Sequence, residues 1–323
     1  MTRLSPSEAA RRLGVSAKAL RLYEGRGLVE PSRNMAGWRF YDEGAMARAR
    51  DIVALRRLGM SLNAIVRALS GDAEALDALL AAHEKRLDAD MAGLAQSRSR
   101  LSQLRQDLAR GKRPGGDALA GALEPRGLTL GFDLPWPWGG EQFVMGPLGP
   151  VTYLTGPLGS GKTQLARTLA GNVAGGRFVG MDRAAPDAVR SEAQAVLDWL
   201  VGDGANPSAA LTALVAALCE DASLIVVDLI EEGLDEATQE ALGAWLRSYD
   251  DDKRPIIAMT RSSALLDLDQ MRPVDRVIYC AANHSPPQIV VPVPGAAGFE
   301  TVASCLAAPD VRARTAGMVA ARP

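Results

Sequence analysis

Between Asp72 and Arg110 a leucine returns every seventh residue, at Leu80, Leu87, Leu94, Leu101 and Leu108, and the second position of the same stripe runs Leu76, His83, Asp90, Ser97 and Leu104. A seven-residue apolar period predicts a long helix whose seam packs as a coiled coil. The polar middle of the stripe weakens that burial, and residues of this kind can fix register and orientation. The alternative is one amphipathic helix lying on its own domain. Ahead of this segment the pattern is one of short helices. Ser5-Pro6 with Glu8 reads as a capping box, "SEAARRLG" stops at Gly14, and "SAKALRLYEGRG" stops at Gly25 or Gly27. "LGVS" between them is a tight turn. "SRNMAGWRFY" alternates aromatics around a turn signal at Asn34 to Gly37, which predicts a small β-hairpin. Two more helices follow, "DEGAMARARDIVALRRLG" and "SLNAIVRALSG".

Beyond the leucine stripe the pattern changes twice. "GKRPGGDALAGALEPRG" is rich in Gly, Pro and Ala and reads as a linker. Then short apolar runs, "GPVTYLTG", "GGRFVGM", "SLIVVDLI", "RPIIAMT" and "DRVIYC", alternate with helical stretches. That alternation predicts an α/β domain with a largely parallel, buried sheet. The expected boundaries are residues 1–71 for a helical module with a β wing, 72–110 for the coiled-coil helix, 111–126 for the linker and 127–323 for the α/β domain. The last 30 residues predict a terminal helix and a loose tail.

Charge divides along the same line. Residues 1–113 hold 21 Lys and Arg against 13 Asp and Glu, whereas residues 114–323 hold 15 against 25. The basic half is the candidate for nucleic acid. The three cysteines are far apart and form no C-x-x-C pair, which fits a reducing compartment rather than a disulfide framework or a zinc site. No apolar run approaches the roughly 20 residues that span a bilayer, and the opening residues carry no apolar h-region. A cytoplasmic protein with no membrane partner is expected.

The first two helices and their turn make a helix-turn-helix, whose second helix must offer side chains to phosphates and base edges. Ser16, Lys18, Arg21 and Tyr23 are the candidates on that helix. Arg33, Trp38 and Arg39 in the wing are candidates for holding the DNA backbone. The stretch "EAARRLGVSAKALRLYEGRGLVEPSRNMAGWRFYDEG" followed by "LRRLGMSLNAIVRAL" closely resembles the DNA-binding domain of the MerR family of bacterial transcription regulators, from Leu4 to about Leu69. The resemblance implies a homodimer through the 72–110 helix, an antiparallel coiled coil, two half-sites on promoter DNA, and activation of RNA polymerase by distorting the promoter. Trp38 stands where the family more often has tyrosine.

The α/β half carries "TGPLGSGKT", in which Gly156, Gly161, Lys162 and Thr163 satisfy G-x-x-x-x-G-K-[ST]. A strand before the loop and a helix after it would aim backbone N–H groups of the loop, Gly156, Pro157, Gly159, Ser160, Gly161, Lys162, Thr163 and Gln164, at the β- and γ-phosphates of a nucleotide (Pro157 contributing shape alone). Lys162 would supply fixed positive charge, and Thr163 a hydroxyl for Mg²⁺. "LIVVD" ends in Asp228 at the carboxyl end of a strand, the position of a second metal-binding acid. This region, from Arg126 to about Val293, resembles the nucleotide-binding domains of the ATP-binding cassette superfamily. The resemblance implies ATP and Mg²⁺ as ligands, with Leu234-Asp235 at the D-loop and Ala209 to Leu218 as the signature helix. Three departures bear on hydrolysis: "GANPS" retains little of the signature, Leu229 stands where the water-polarising glutamate would be, and Arg261 stands near the switch histidine. Glu231 or Glu232 could substitute as the general base; without one the rate falls by about 10² to 10⁴-fold. Phe132, Trp136 and Trp138 are candidates for stacking on adenine, with packing against the sheet the favoured reading.

The expectation is therefore a regulator whose P-loop domain senses ATP with weak or no hydrolysis. Two alternatives stay open: an ATP-hydrolysing DNA repair or remodelling factor, and a regulator sensing another phosphorylated or oxyanionic ligand through the same loop.

Overall fold

The computed structural model of the chain describes residues 4–15, 17–34, 37–58, 60–69, 71, 73–112, 128–251, 254–268, 270–272, 274–291, 293 and 295–307. Most of the expected linker and the expected tail lie outside the described residues.

The N-terminal module folds as its caps and turns dictate. Helix α1 (Pro6–Leu13) begins with a complete capping box, in which Ser5 Oγ accepts the Glu8 N–H and the Glu8 carboxylate accepts the Ser5 N–H at 2.9 Å, and it ends at Gly14 in the left-handed conformation. Helix α2 (Ala17–Gly25) follows. The wing is the antiparallel pair β1 (Ser32–Arg33) and β2 (Arg39–Phe40), its turn closed by Trp38 N–H donating to Asn34 Oδ1 at 2.8 Å. Asp42 caps α3 (Glu43–Arg57) through the Ala45 N–H, and α4 (Leu62–Leu69) completes the module. Leu20, Tyr41, Ile52, Leu62 and Ile65 are fully buried among these elements. Each such side chain stabilises the fold by roughly 1.5–3 kcal/mol.

Helix α5 (Ala73–Ala109) is 37 residues long, which at the helical rise is about 55 Å. Its heptad residues Leu80, Leu87, Leu101 and Leu108 lie exposed on the single chain.

In the C-terminal half six strands form one sheet in the order β10-β9-β5-β8-β7-β6. They are β5 (Val151–Thr155), β6 (Gly176–Val179), β7 (Leu224–Val227), β8 (Ile256–Met259), β9 (Arg276–Tyr279) and β10 (Gln288–Val290), with β10 antiparallel to β9 and all other pairings parallel. Period-two alternation feeds two cores. Val151, Tyr153, Ile225 and Val227 face α7 (Ser191–Asp203), α8 (Ala209–Leu218) and α9 (Glu236–Ser248), while Leu154, Leu224 and Val226 face α6 (Lys162–Gly171). The same second core takes Phe132 and Phe143 from a separate hairpin, β3 (Leu130–Asp133) with β4 (Gln142–Met145), and α10 (Phe299–Cys305) closes the chain. The five apolar runs read as strands are β5 to β9. The β3–β4 hairpin and β10 went unread because their residues mix polar and apolar types over three or four positions. The architecture is thus a winged helix-turn-helix, a long helix and a mostly parallel α/β domain.

Candidate functional site

On the helix-turn-helix side, Arg21 is exposed on α2. Ser16 and the side chain of Lys18 lie outside the described residues. Tyr23 corrects the sequence reading: it is 5% exposed and packs in the module's core with Leu20 and Leu28. Residues two apart on a helix point about 200° apart, so Tyr23 cannot share the face of Arg21. Burial raises the Tyr23 pKa; the nearby Arg56 opposes that shift and Asp203 adds to it. In the wing, Trp38 is 73% exposed, Arg33 Nη1 donates to Gly37 O at 3.2 Å, and Arg39 pairs with Glu24 of α2 at 2.8 Å. Glu24 also accepts from the Tyr41 hydroxyl. The wing is thereby tied to the second helix, so the two DNA-facing candidates are held as one body.

On the α/β side, strand β5 runs into the loop 156–161, and α6 begins at Lys162. Gly156 takes φ +148°, and a Cβ there would lie 2.2 Å from Cys280 O, so the close approach of loop to strand β9 requires glycine. Ser160 and Lys162 are buried, while Gly159, Thr163 and Gln164 are exposed and Pro157 is half-buried. Lys162 Nζ donates to Pro157 O at 2.6 Å and to Ser160 Oγ at 3.3 Å. Its pKa is pulled down to about 8, by burial first and then by Arg261, with Cys280 and Asp228 opposing the shift. The ammonium is folded onto its own loop and is poorly matched there.

Asp228, at the end of β7, is 3% exposed. Burial raises its pKa, against a hydrogen bond from Thr163 and the charges of Lys162, Arg167 and Arg183. Its Oδ1 has no hydrogen-bond partner among the described residues. The parallel order, with β8 between β5 and β7, brings the Thr163 hydroxyl and this carboxylate together across 65 residues of sequence. A buried carboxylate oxygen without a donor is costly unless a cation meets it. Among the described residues no group of three or more His, Cys, Asp and Glu gathers around a metal. A Mg²⁺ here would take Thr163 and Asp228 and fill its remaining positions with phosphate and water oxygens, as that ion commonly does.

Several residues that matter here left no sequence signal. Arg183 donates to the carbonyls of Gly180, Asp228, Leu229, Ile230 and Glu232, at 3.2–3.4 Å, and so fixes the loop after β7. That loop is strained: Leu229 sits at φ +41°, a region costing a non-glycine residue about 1–2 kcal/mol. Glu231 is buried and accepts the Arg261 N–H at 3.1 Å, whereas Glu232 is exposed. His284 Nε2 lies 3.0 Å from Gly159 O and must carry the proton to donate there, since a carbonyl only accepts. Trp138 Nε1 donates to Ser285 O at 3.0 Å, and its ring edge lies 2.8 Å from where a Cβ on Gly161 would sit. Trp138 and Phe132 are packing residues, as favoured; Trp136, two positions from Trp138, is 76% exposed. The "GANPS" segment does capping work: Ser208 caps α8, and Asn206 bonds Thr238 and Asp235 of the α9 start.

Residues 4–72 match the family model described as MerR HTH family regulatory protein. The N-terminal module is a MerR-type helix-turn-helix. Nodulation protein NolA of Bradyrhizobium sp. (strain NC92) is 39% identical over 101 residues, 31% of this chain and 42% of that protein. The chain thus spans less than half the length of that relative, and likewise 44% of its Bradyrhizobium elkanii counterpart. Among solved structures, the HTH-type transcriptional regulator SkgA from Caulobacter crescentus is 28% identical, covering 39% of this chain and 91% of that one with a TM-score of 0.26. A solved structure of a putative metal-chelate type ABC transporter is 14% identical, covering 48% of this chain and 76% of that one with a TM-score of 0.34. No helix among the described residues is long and apolar enough to cross a membrane.

Proposed function

We propose that this chain is a transcription regulator that binds promoter DNA through residues 1–71 and senses ATP with Mg²⁺ through the loop 156–164. The single observation that carries the nucleotide half is the mismatch of charge at that loop: a buried ammonium resting on the Pro157 carbonyl of the same loop, beside a buried carboxylate with an orphaned oxygen. A triphosphate would meet the first and its Mg²⁺ the second, and a helix N-terminus adds its amides. Thr163 and Asp228 would hold the ion, which shields the phosphate charge. Lys162 would pair with the phosphates, and the exposed Trp136, next in sequence to the Pro137 that lies against Gly161, would offer a ring to the base. Leu229, which carries no proton-accepting group, and Glu231, whose carboxylate takes a backbone amide, favour binding over rapid hydrolysis. A second copy would cover the exposed leucines of α5, giving a homodimer with two half-sites, and RNA polymerase would be met at the promoter.

Calorimetry on the intact chain with Mg·ATP tests the nucleotide half. Uptake is expected, and Lys162→Ala weakens it by about 100-fold, the loss of charge-assisted bonds worth roughly 1.5–3 kcal/mol. Uptake unaffected by Lys162→Ala would remove this reading of the loop. The regulator whose loop takes another oxyanion is the outcome if phosphate binds and ATP does not.

A further inference from the structure

Helix α7 ends at Asp203, and there the two halves of the chain meet. The Asp203 carboxylate takes both arms of the Arg56 guanidinium, Nη1 to Oδ1 at 2.6 Å and Nη2 to Oδ2 at 3.0 Å. Oδ1 also accepts the N–H of Leu62, the first residue of α4, at 2.8 Å. Ser61 Oγ takes the Ala64 N–H of the same helix end, so α4 is capped by its own residue and by one from the other half. Arg56 donates further to Met60 O at 2.8 Å and stands over the Trp199 ring at 5.7 Å. The paired side chains are 17% and 2% exposed. Gly204 follows at φ +111°, and a Cβ on it would lie 2.4 Å from Arg26 Nη2, whose other arm reaches Asn63 Oδ1 at 3.3 Å. Both Asp203 oxygens thus take their donors from the opposite half of the chain.

The joint is also connected to the Gly-rich loop. Three residues past Asp203, Asn206 donates to Asp235 Oδ2 at 2.6 Å and to Thr238 Oγ1 at 3.0 Å, and Asp235 caps α9. Asp235 closes the turn that begins at Asp228 and that Arg183 grips by its carbonyls. Strain at Leu229 lies within the same turn. Meanwhile the wing stays open, since Trp38 and Arg33 are exposed. The joint leaves these wing residues uncovered and holds the module by Arg56 of α3 and the Leu62 N–H of α4.

We propose that the Asp203–Arg56 joint sets the affinity for DNA, and that the ligand state of the loop around Lys162 and Asp228 reaches it through the 228–235 turn and Asn206. The second clause rests on the nucleotide reading above. An ion seated on Asp228 pulls on the turn, Asn206 carries the displacement to the end of α7, and a bidentate, capped joint passes it to α3 and α4 rather than absorbing it. The tertiary link thus bypasses the covalent connection through residues 111–126.

The test uses the full chain as wild type, Asp203→Asn and Arg56→Lys, two mild changes that keep the joint's volume while removing its bidentate match. Three quantities are read: Mg·ATP affinity by calorimetry, exchange of the Leu62 amide by hydrogen–deuterium exchange, and affinity for a duplex selected from a random pool by the wild-type chain, with and without Mg·ATP. In the wild type, Mg·ATP is expected to shift duplex affinity by about tenfold. Both variants should keep ATP affinity within about twofold, exchange Leu62 faster, and lose the shift. Variants that retain the full shift overturn the proposal, as does a wild type that binds ATP with no shift. If the wild type takes up no ATP, the nucleotide reading fails, and the joint is judged without it. A changed duplex affinity in both variants then supports the joint, and an unchanged one overturns it.

Discussion

Two of the buried charge clusters among the described residues, at Asp203 and at Asp228, differ in how completely they are answered. At Asp203 the carboxylate collects two guanidinium arms and a helix amide, and its partner Arg56 also serves a carbonyl and a ring. At Asp228 the carboxylate keeps an oxygen without a donor, and Lys162 is left to bond its own loop. Burial costs both sites their water, but only the first recovers the loss from the protein itself. On the function proposed above, the difference separates a structural joint from a ligand site: a satisfied cluster holds the fold, and an incompletely satisfied one would gain from a bound cation and anion.

The largest way to break that comparison is to cut the satisfied cluster. Asp203→Ala strands a buried guanidinium and should cost about 3–5 kcal/mol of stability in urea unfolding; a loss below 1 kcal/mol would mean that the pair is an ordinary surface bridge. Asp228→Asn should do the reverse. Because burial raises the Asp228 pKa, its ionised form disfavours the fold at neutral pH, and the amide should leave the ligand-free chain equally stable or stabilise it by about 1 kcal/mol. The same variant should weaken Mg·ATP uptake by about tenfold, the scale of one lost ion contact. A clear loss of stability would instead mark Asp228 as a second structural charge. The smallest effect is in protons. With the Lys162 pKa near 8, the ligand-free ammonium is mostly charged at pH 7 and mostly neutral at pH 9. Phosphate favours the charged form, so binding should take up about one proton at pH 9 and little at pH 7, with affinity falling as pH rises past 8. Calorimetry in buffers of different ionisation heat reads this directly. The ligand-free fold should gain stability over the same rise, since the unfolded lysine still holds its proton up to its ordinary value.

Much of the fold was legible because it is written locally. Ser5 and Glu8 announce the first helix, Asn34 and Gly37 the wing, and "VTYLT", "LIVV" and "IIAM" the buried strands. The candidate site was legible as a pattern where residue types and spacing would themselves be the chemistry, as in Gly156 to Thr163 and in Asp228. Reading Tyr23 as a DNA contact failed on geometry: Arg21 is exposed, but Tyr23, two positions on, turns into the core. Arg183 and His284 were invisible because their partners are backbone carbonyls, which no pattern of side chains reports. "GANPS" resembled a worn signature motif and is, in the fold, a capping segment.

Sequence alone determined most of the elements, the split between a basic and an acidic half, and the loop-strand pair that could hold a nucleotide, because helical period, strand alternation and glycine-dependent turns are properties of a few adjacent residues. Tertiary structure decided which charges are satisfied. Whether Asp203 or Asp228 finds its donors depends on groups up to 147 residues away, and folding alone brings such distant groups within hydrogen-bond reach.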